Sequence, residues 1–310
     1  PIAQRVADLV SRMTLQEKAA QLGYSLQNAA HLCTSTTEEI VAAFPHGVGG
    51  LPVMGLACTN KLQRAFTENT TLGIPVSFYG ETTHSGGYHN STVFPMPCGQ
   101  GASWNTTLVQ AIAAANALEL RASGGDQGLS PILQVTTDPR FGRLQENFGE
   151  DPLLVAHYGI AAVQGLQGSD GCGTNSGGYS ANAALTYVGS PDTHVAAQAK
   201  HFAGYGAGSK DGYTPFGGGP SRRTMFEVYL RPWRDVALAG GRGVMAAHNL
   251  IDWLPCHANT DMLTATLRNR FGFGPGYIGS DNTNVEGLFN YFRGFCESPD
   301  DAAVIAMSAG

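Results

Sequence analysis

Short apolar segments alternate with helix-like segments along this chain, and five of the apolar segments end in polar or charged residues. The five are residues 76–79, 132–135, 196–199, 243–247 and 277–279. Strands that alternate with helices predict a parallel sheet. In parallel α/β folds, ligands bind at the carboxyl ends of the strands. The pattern therefore predicts a site built from the residues that follow these five segments.

Helical periodicity marks the segments between the predicted strands: residues 105–123, 151–166, 221–239 and 261–271. Asn105 is a predicted N-cap, and Asp151 followed by Pro152 predicts an N-cap with proline at the first helical position. Near the start, Thr14 and Glu17 have the spacing of a capping box, which predicts that a helix begins there. Two glycine- and serine-rich stretches, residues 168–182 and 203–220, predict long loops.

Composition argues against several functions. The chain has 310 residues, 43% of them hydrophobic, and a formal net charge of −6. Its lysines and arginines form no basic block, which argues against a nucleic-acid partner. No apolar stretch approaches the roughly 18 residues that a membrane helix needs. No glycine-rich dinucleotide motif follows the first strand, and no metal-ligand motif is visible, so we expect no cofactor and no metal site.

Cysteines and glycosylation sequons point to a secreted protein. Six cysteines are present and none forms a C-x-x-C pair. Six thiols allow 15 complete disulfide pairings, and the sequence does not choose among them. Asn69, Asn90 and Asn105 each begin an N-x-Thr or N-x-Ser triplet. We therefore expect a secreted, disulfide-bonded glycoprotein.

Asp281 is the leading catalytic candidate because it follows the apolar segment 277–279. A carboxylate there can attack the anomeric carbon of a sugar if a protonated carboxyl group lies about 5 Å away. Alternatively, Asp281 caps the next helix.

Lys200 and His201 can donate to sugar hydroxyls, or they are a solvated lysine beside a core histidine. Since adjacent residues of a strand point to opposite sides, we expect the strand to end before this pair.

The loop of residues 138–152 is dense in charge and glycine. Guanidinium groups in this loop can bind hydroxyls or orient carboxylates. For Asp138, Arg140 and Glu150 we favour an ion-pair network that orders the loop.

Together these segments resemble the N-terminal barrel domain of glycoside hydrolase family 3, the β-glucosidase and β-xylosidase family. The resemblance rests on four motifs in family order: residues 5–22, 138–152, 200–202 and 243–281. Residues 200–206 are most similar to the periplasmic-type β-glucosidase branch. The resemblance implies that residues 1–310 form a (β/α)₈ TIM-like barrel, incomplete at its C-terminal end. It also implies a second α/β sandwich domain beyond residue 310.

The resemblance implies a retaining, exo-acting β-glycosidase that removes terminal β-D-glycosyl residues through a covalent intermediate on Asp281. Arg143, Lys200 and His201 would bind hydroxyls of the terminal sugar. Glu81 stands where many members have an aspartate that binds distal hydroxyls, and a xylosidase-like branch has glutamate there. His248 stands where many members have a tyrosine that contacts the nucleophile.

The general acid is expected outside this chain, on a C-terminal domain or a companion chain. Single-domain members supply it from the loop after the Lys-His strand, where this chain has Asp211 but no histidine. Asn282 replaces a tryptophan that many members pack against the sugar. Two alternatives stay open: a preference for β-xylosides over β-glucosides, and a catalytically silent member that binds carbohydrate or has a structural role.

Overall fold

Six parallel strands form the sheet at the centre of the molecule. The computed structural model describes residues 2–24, 29–87, 90–168, 192–207, 220–274, 276–292 and 295–310. The strands are β1 Gly50–Pro52, β2 Ser77–Gly80, β3 Gln127–Gly128, β4 Ala196–Phe202, β5 Gly243–Ala246 and β8 Tyr277–Ser280. They are hydrogen-bonded in the order β1-β2-β3-β4-β5-β8. A separate antiparallel hairpin pairs β6 Leu250–Ile251 with β7 Leu254–Pro255.

Helices occupy most of the connections between the strands. They are α1 Ile2–Arg12, α2 Leu15–Gln21, α3 Thr37–Ala43, α4 Leu56–Asn69, α5 Pro97–Gly101, α6 Thr106–Ala122, α7 Pro152–Gln167, α8 Arg222–Thr224, α9 Arg231–Leu238, α10 Asn284–Asn290 and α11 Pro299–Ala309. Met225–Tyr229 and Asp261–Arg270 are π-helical. Parallel strands in chain order with crossover helices are the architecture of a TIM-like barrel. The prediction of such a barrel, incomplete over the described residues, is confirmed.

The predicted helix starts are confirmed at the atomic level. The Thr14 hydroxyl accepts a hydrogen bond from the backbone amide of Glu17, and the Glu17 carboxylate accepts one from the amide of Thr14. Asn105 accepts from the amide of Leu108 at the start of α6. Asp151 caps α7, and proline follows at its first position. Local side-chain chemistry therefore decides where these helices begin.

One strand prediction is only partly right. Residues 132–135 do not form a continuous strand, although the Leu133 amide donates to the Lys200 carbonyl at 2.8 Å and the Lys200 amide to the Pro131 carbonyl at 2.9 Å. Proline has no amide hydrogen to donate, which interrupts the ladder at this point. The third strand is instead the short β3. None of the predicted strands corresponds to β1.

The main hydrophobic core lies between the sheet and helices α6, α7 and α9. Gly165 lets α7 approach α6 closely, since a Cβ atom there would lie 2.3 Å from the Gln110 carbonyl oxygen. The Phe202 ring of β4 packs edge-on against Trp233 of α9, with ring centroids 5.1 Å apart. Burying a phenylalanine contributes about 1.5–3 kcal/mol, so this contact fixes β4 against the helical layer.

Both predicted long loops lie largely outside the described residues, namely 169–182 of the first and 208–219 of the second. Asp211 belongs to the second of these segments.

A disulfide joins Cys33 to Cys58, with Cα atoms 5.1 Å apart. It ties the segment before α3 to the first turns of α4, beside a smaller hydrophobic core formed by α3, α4, β1 and β2. The other cysteines within the described residues are free: Cys98, Cys256 and Cys296. Cys172 lies outside the described residues. The expectation of a disulfide is therefore confirmed for one pair of cysteines.

Replacing Cys58 by serine should lower the free energy of unfolding by about 2–4 kcal/mol. The disulfide closes a loop with a sequence separation of 25 residues, which restricts the unfolded chain. Chemical denaturation under non-reducing conditions measures the change. Cys98→Ser is the matched control, because Cys98 is exposed and free. Equal stability of the two variants would contradict a stabilising disulfide.

Candidate active site

The carboxylate of Asp281 lies directly after β8, between two histidine rings and a backbone amide. One oxygen, Oδ2, is 2.9 Å from Nε2 of His248 and 3.6 Å from Nε2 of His201. The other oxygen accepts a hydrogen bond from the backbone amide of Asn282 at 2.7 Å. The Asp281 side chain is only 12% exposed. These contacts join the carboxyl ends of β4, β5 and β8 at one point.

Asp281 stays ionised despite its burial. Burial alone would raise the pKa of Asp281, but the contact with His248, the charge of His248 and the Asn282 amide together hold it well below its usual range. The neighbouring His201 is neutral, because burial lowers its pKa well below the ordinary value and the attraction of Asp281 does not compensate. Gln134 lies 2.9 Å from His201 Nδ1 and can donate its amide hydrogen there. That leaves the proton on Nε2, facing Asp281.

His248 makes a second contact, and a third histidine, His257, lies beside the site. His248 follows β5, and its Nδ1 is 2.8 Å from the side-chain oxygen of Asn284. His257 is buried, with Nε2 3.1 Å from the Ser280 hydroxyl. Burial lowers the pKa of His257 to about 4, against the opposing attraction of Asp281. His257 is therefore neutral at physiological pH.

Lys200 and Glu81 form a second ion pair, with Nζ and Oε2 2.6 Å apart. The lysine side chain is 5% exposed and that of Glu81, directly after β2, is 52% exposed.

The expectation that the strand ends before Lys200 is wrong, since β4 runs through Phe202. The register of β4 against β5 shifts between Ala199 and Phe202. Such an irregularity re-aims side chains, and here neighbouring residues each contact a carboxylate.

Arg143 lies beside these groups but is held by Glu146. Its guanidinium makes two bonds to that carboxylate, of 2.9 and 2.7 Å. Burial works against the charge, but the two bonds to Glu146 raise the pKa of Arg143 above its usual value. The guanidinium carbon lies 5.8 Å from the centre of the Tyr205 ring, which is itself 5.4 Å from the His201 ring. Tyr205 therefore connects Arg143 with the histidines.

The predicted site residues thus form one cluster at the strand ends: Asp281, His201, His248, Lys200, Glu81 and Arg143. Asp138 and Arg140 instead pair with each other at 2.6 Å, as the ion-pair interpretation of that loop predicts, whereas Glu150 forms no ion pair among the described residues. Asn282 is exposed beside Asp281. Among the described residues, no group of three or more histidine, cysteine, aspartate or glutamate side chains is arranged to hold a metal ion.

Sequence reasoning did not assign a role to four residues that shape this cluster, namely Gln134, Tyr205, His257 and Asn284. Gln134 interrupts an otherwise apolar segment, and that polar residue was the available signal. Asn284 lies in a turn-like run after Asp281 and carried no distinguishing pattern. Their partners are distant in sequence, and Gln134 and His201 are 67 positions apart. Only the folded chain shows these contacts.

Comparison with known proteins decides the family. Residues 14–310 match the family described as Glycosyl hydrolase family 3 N terminal domain. The chain belongs to glycoside hydrolase family 3. The family 3 domain is 32% identical to a β-xylosidase from Formosa agariphila, over all of this chain and 36% of that protein. It is 28% identical to a periplasmic β-glucosidase from Salmonella typhimurium, over 98% of this chain and 36% of that protein.

A solved structure shares the fold of this family 3 domain. The β-glucosidase from Listeria innocua superposes with a TM-score of 0.82 at 31% identity, covering 99% of this chain and 41% of that one. The chain therefore spans well under half the length of these relatives. No helix in the described ranges is long and apolar enough to cross a membrane.

Acidification should destabilise the protein in part through His257. The unfolded chain binds a proton at this histidine near pH 6.5, whereas the folded protein does so only near pH 4. Between these values the unfolded state holds more protons, so the free energy of unfolding falls as the pH falls. Relative to a His257→Gln variant, the wild type should lose about 2 kcal/mol between pH 7 and pH 5.

Urea denaturation of both proteins at the two pH values measures this difference. The control is His46→Gln, at an exposed histidine. A gap between wild type and His257→Gln that stays constant from pH 7 to pH 5 would show that His257 is not buried in its neutral form.

Proposed function

We propose that the protein is a retaining, exo-acting β-glycosidase in which Asp281 is the nucleophile. The observation that carries this proposal is the ionised, largely buried Asp281 carboxylate at the strand ends, held by His248 and the Asn282 amide. A carboxylate is a nucleophile only in its ionised form, and the low pKa keeps it ionised at every working pH. The β-glucosidases and β-xylosidases among the relatives support the same reaction.

In the first step, an Asp281 oxygen forms a bond to the anomeric carbon and the bond from that carbon to the leaving oxygen breaks. The leaving oxygen takes a proton from a general acid. In the second step, water attacks the same carbon, Asp281 departs and the general base takes a proton from the water. Lys200, His201 and Arg143 would donate hydrogen bonds to the sugar, and Glu81 would accept from its distal hydroxyls.

The general acid is proposed to lie outside the described residues. Glu81 is bound to Lys200, and Glu146 to Arg143, so each of these carboxylates is already engaged by a cation of this chain. The relatives are more than twice as long as this chain, which leaves room for a C-terminal domain that supplies the acid. The alternative is a companion chain that supplies the general acid. The partner at the site is a β-linked glycoside.

A second candidate substrate is a β-xyloside, and Glu81 favours it. Glutamate is one methylene longer than aspartate, and Lys200 and the Thr83 hydroxyl, each 2.6 Å away, fix its two carboxylate oxygens. A longer side chain leaves less room for the hydroxymethyl group that distinguishes glucose from xylose. The Formosa agariphila relative, a β-xylosidase, is consistent with this preference.

We also propose that the protein is secreted and glycosylated. The disulfide suits an oxidising compartment. Asn69, Asn90 and Asn105 are all exposed, so an oligosaccharide could be attached at each without disturbing the core.

Asp281→Asn should lower turnover of aryl β-glycosides by the full-length protein by about 10³-fold or more, because the amide is a very poor nucleophile. Steady-state kinetics on aryl β-glucoside and β-xyloside measures the loss. Asp300→Asn is the control, at an exposed aspartate of α11. Unchanged turnover in Asp281→Asn would refute the assignment. Wild-type protein that binds the glycosides without hydrolysing them would support the silent, carbohydrate-binding alternative.

Glu81→Asp should shift selectivity from β-xyloside toward β-glucoside. One methylene in a binding pocket changes selectivity by about 10–200-fold, so the ratio of kcat/KM for the two substrates should change by at least about tenfold. The control is Glu286→Asp, at an exposed glutamate of α10. A ratio that does not change would mean that Glu81 does not contribute to the choice of sugar.

A further inference from the structure

Asn284 links both members of the pair formed by His248 and Asp281. Its side-chain oxygen lies 2.8 Å from Nδ1 of His248, whose Nε2 lies 2.9 Å from Asp281 Oδ2. Its backbone amide donates to the Asp281 carbonyl at 3.3 Å. Asn284 is 6% exposed and is the first residue of α10. The start of this helix therefore holds the imidazole against the carboxylate.

The hydrogen-bond acceptors on either side of the His248 ring decide which of its two nitrogens carry protons. An amide oxygen only accepts hydrogen bonds, so Nδ1 of His248 must carry a proton to bond Asn284. Without a second proton, Nε2 would present its lone pair to the carboxylate of Asp281 at 2.9 Å, which is repulsive. Both contacts are favourable only when the ring carries two protons and a positive charge. The NH₂ group of Asn284 has no hydrogen-bond partner among the described residues, so His248 alone orients the amide.

We propose that Asn284 is a positioning residue that keeps His248 as an imidazolium ion against Asp281. The consequence for catalysis rests on the proposed function, whereas the protonation state of His248 does not. Asn284 would thus act on the nucleophile through the histidine, without touching the sugar.

The groups around His248 are consistent with a charged ring. Asp281 and Asn284 favour the cation, and burial and Arg143 oppose it. His201 and His257, from β4 and from the segment after β7, are neutral and add no opposing charge. The Tyr205 ring lies 6.0 Å from the imidazole. On balance the pKa of His248 is raised above its ordinary value, since the bonds to Asp281 and Asn284 outweigh burial.

A fixed imidazolium would assist the second chemical step. When Asp281 is esterified by the sugar its negative charge is lost, but the bond to Asn284 keeps the His248 ring in place with a proton on Nδ1. As water bonds to the anomeric carbon, the bond from that carbon to Asp281 breaks and the departing oxygen regains its charge beside the imidazolium. Stabilising the charge that develops on a leaving group lowers the barrier to its departure.

Nitrogen-15 NMR of histidine-labelled full-length protein tests the charge directly. His248→Gln identifies the His248 signals, and a pH titration follows both ring nitrogens. In the wild type, both nitrogens should carry protons at pH 6.5. Asn284→Ala should lower the titration midpoint by about one pH unit, as expected for the loss of one hydrogen bond to a charged group. Asn284→Asp should raise it, because a carboxylate stabilises the cation more strongly. Asn290→Ala, at the exposed end of α10, should leave it unchanged.

The opposite signs for alanine and aspartate separate a charge effect from a merely structural one. A neutral His248 with its proton on Nε2 alone, as the reversed Asn284 amide would require, overturns the proposal. The proposal is also overturned if Asn284→Ala, Asn284→Asp and Asn290→Ala all titrate with the same midpoint. In kinetics, kcat/KM should fall on the alkaline side of the pH profile as His248 loses its proton. For Asn284→Ala this fall should occur at a lower pH than for the wild type. Protein without any turnover but with a charged His248 would refute the proposed function and leave this inference standing.

Discussion

The buried charge of Asp281 is the constraint on which the rest of the site depends. A carboxylate removed from water keeps its charge only where hydrogen-bond donors replace the lost hydration. Here the donors come from different parts of the chain: His248 after β5, His201 in β4 and the amide of Asn282. Because the carboxyl ends of parallel strands meet at one edge, the barrel-like sheet is what brings them together.

The register shift in β4 lets two neighbouring residues contact two different carboxylates. Lys200 pairs with Glu81 while the next residue, His201, faces Asp281. Each carboxylate thus has its own nitrogen partner, and the neutral His201 leaves the positive charge next to Asp281 to His248. Phe202, packed on Trp233, anchors the same strand in the helical layer. Packing on one side of β4 therefore fixes the geometry on the other.

Local patterns predicted what local chemistry controls. Capping residues such as Thr14, Asn105 and Asp151 specify helix starts because their bonds span only two or three residues. Polar residues after apolar runs predicted the positions of Asp281 and His248. The limits of β4 and the loss of a strand at residues 132–135 were not predictable in this way. Both depend on pairing with a neighbouring strand, which a single segment does not encode.

The sequence by itself determined the family, the parallel architecture and the set of residues at the strand ends, because motif order and periodicity are properties of the linear chain. The tertiary structure alone decided which of these residues touch and which are charged. Asn284 and His248 are 36 positions apart, and Gln134 and His201 are 67 apart, yet these contacts determine the proton positions around Asp281. Burial and hydrogen bonding set a pKa, and both arise only when distant segments pack together.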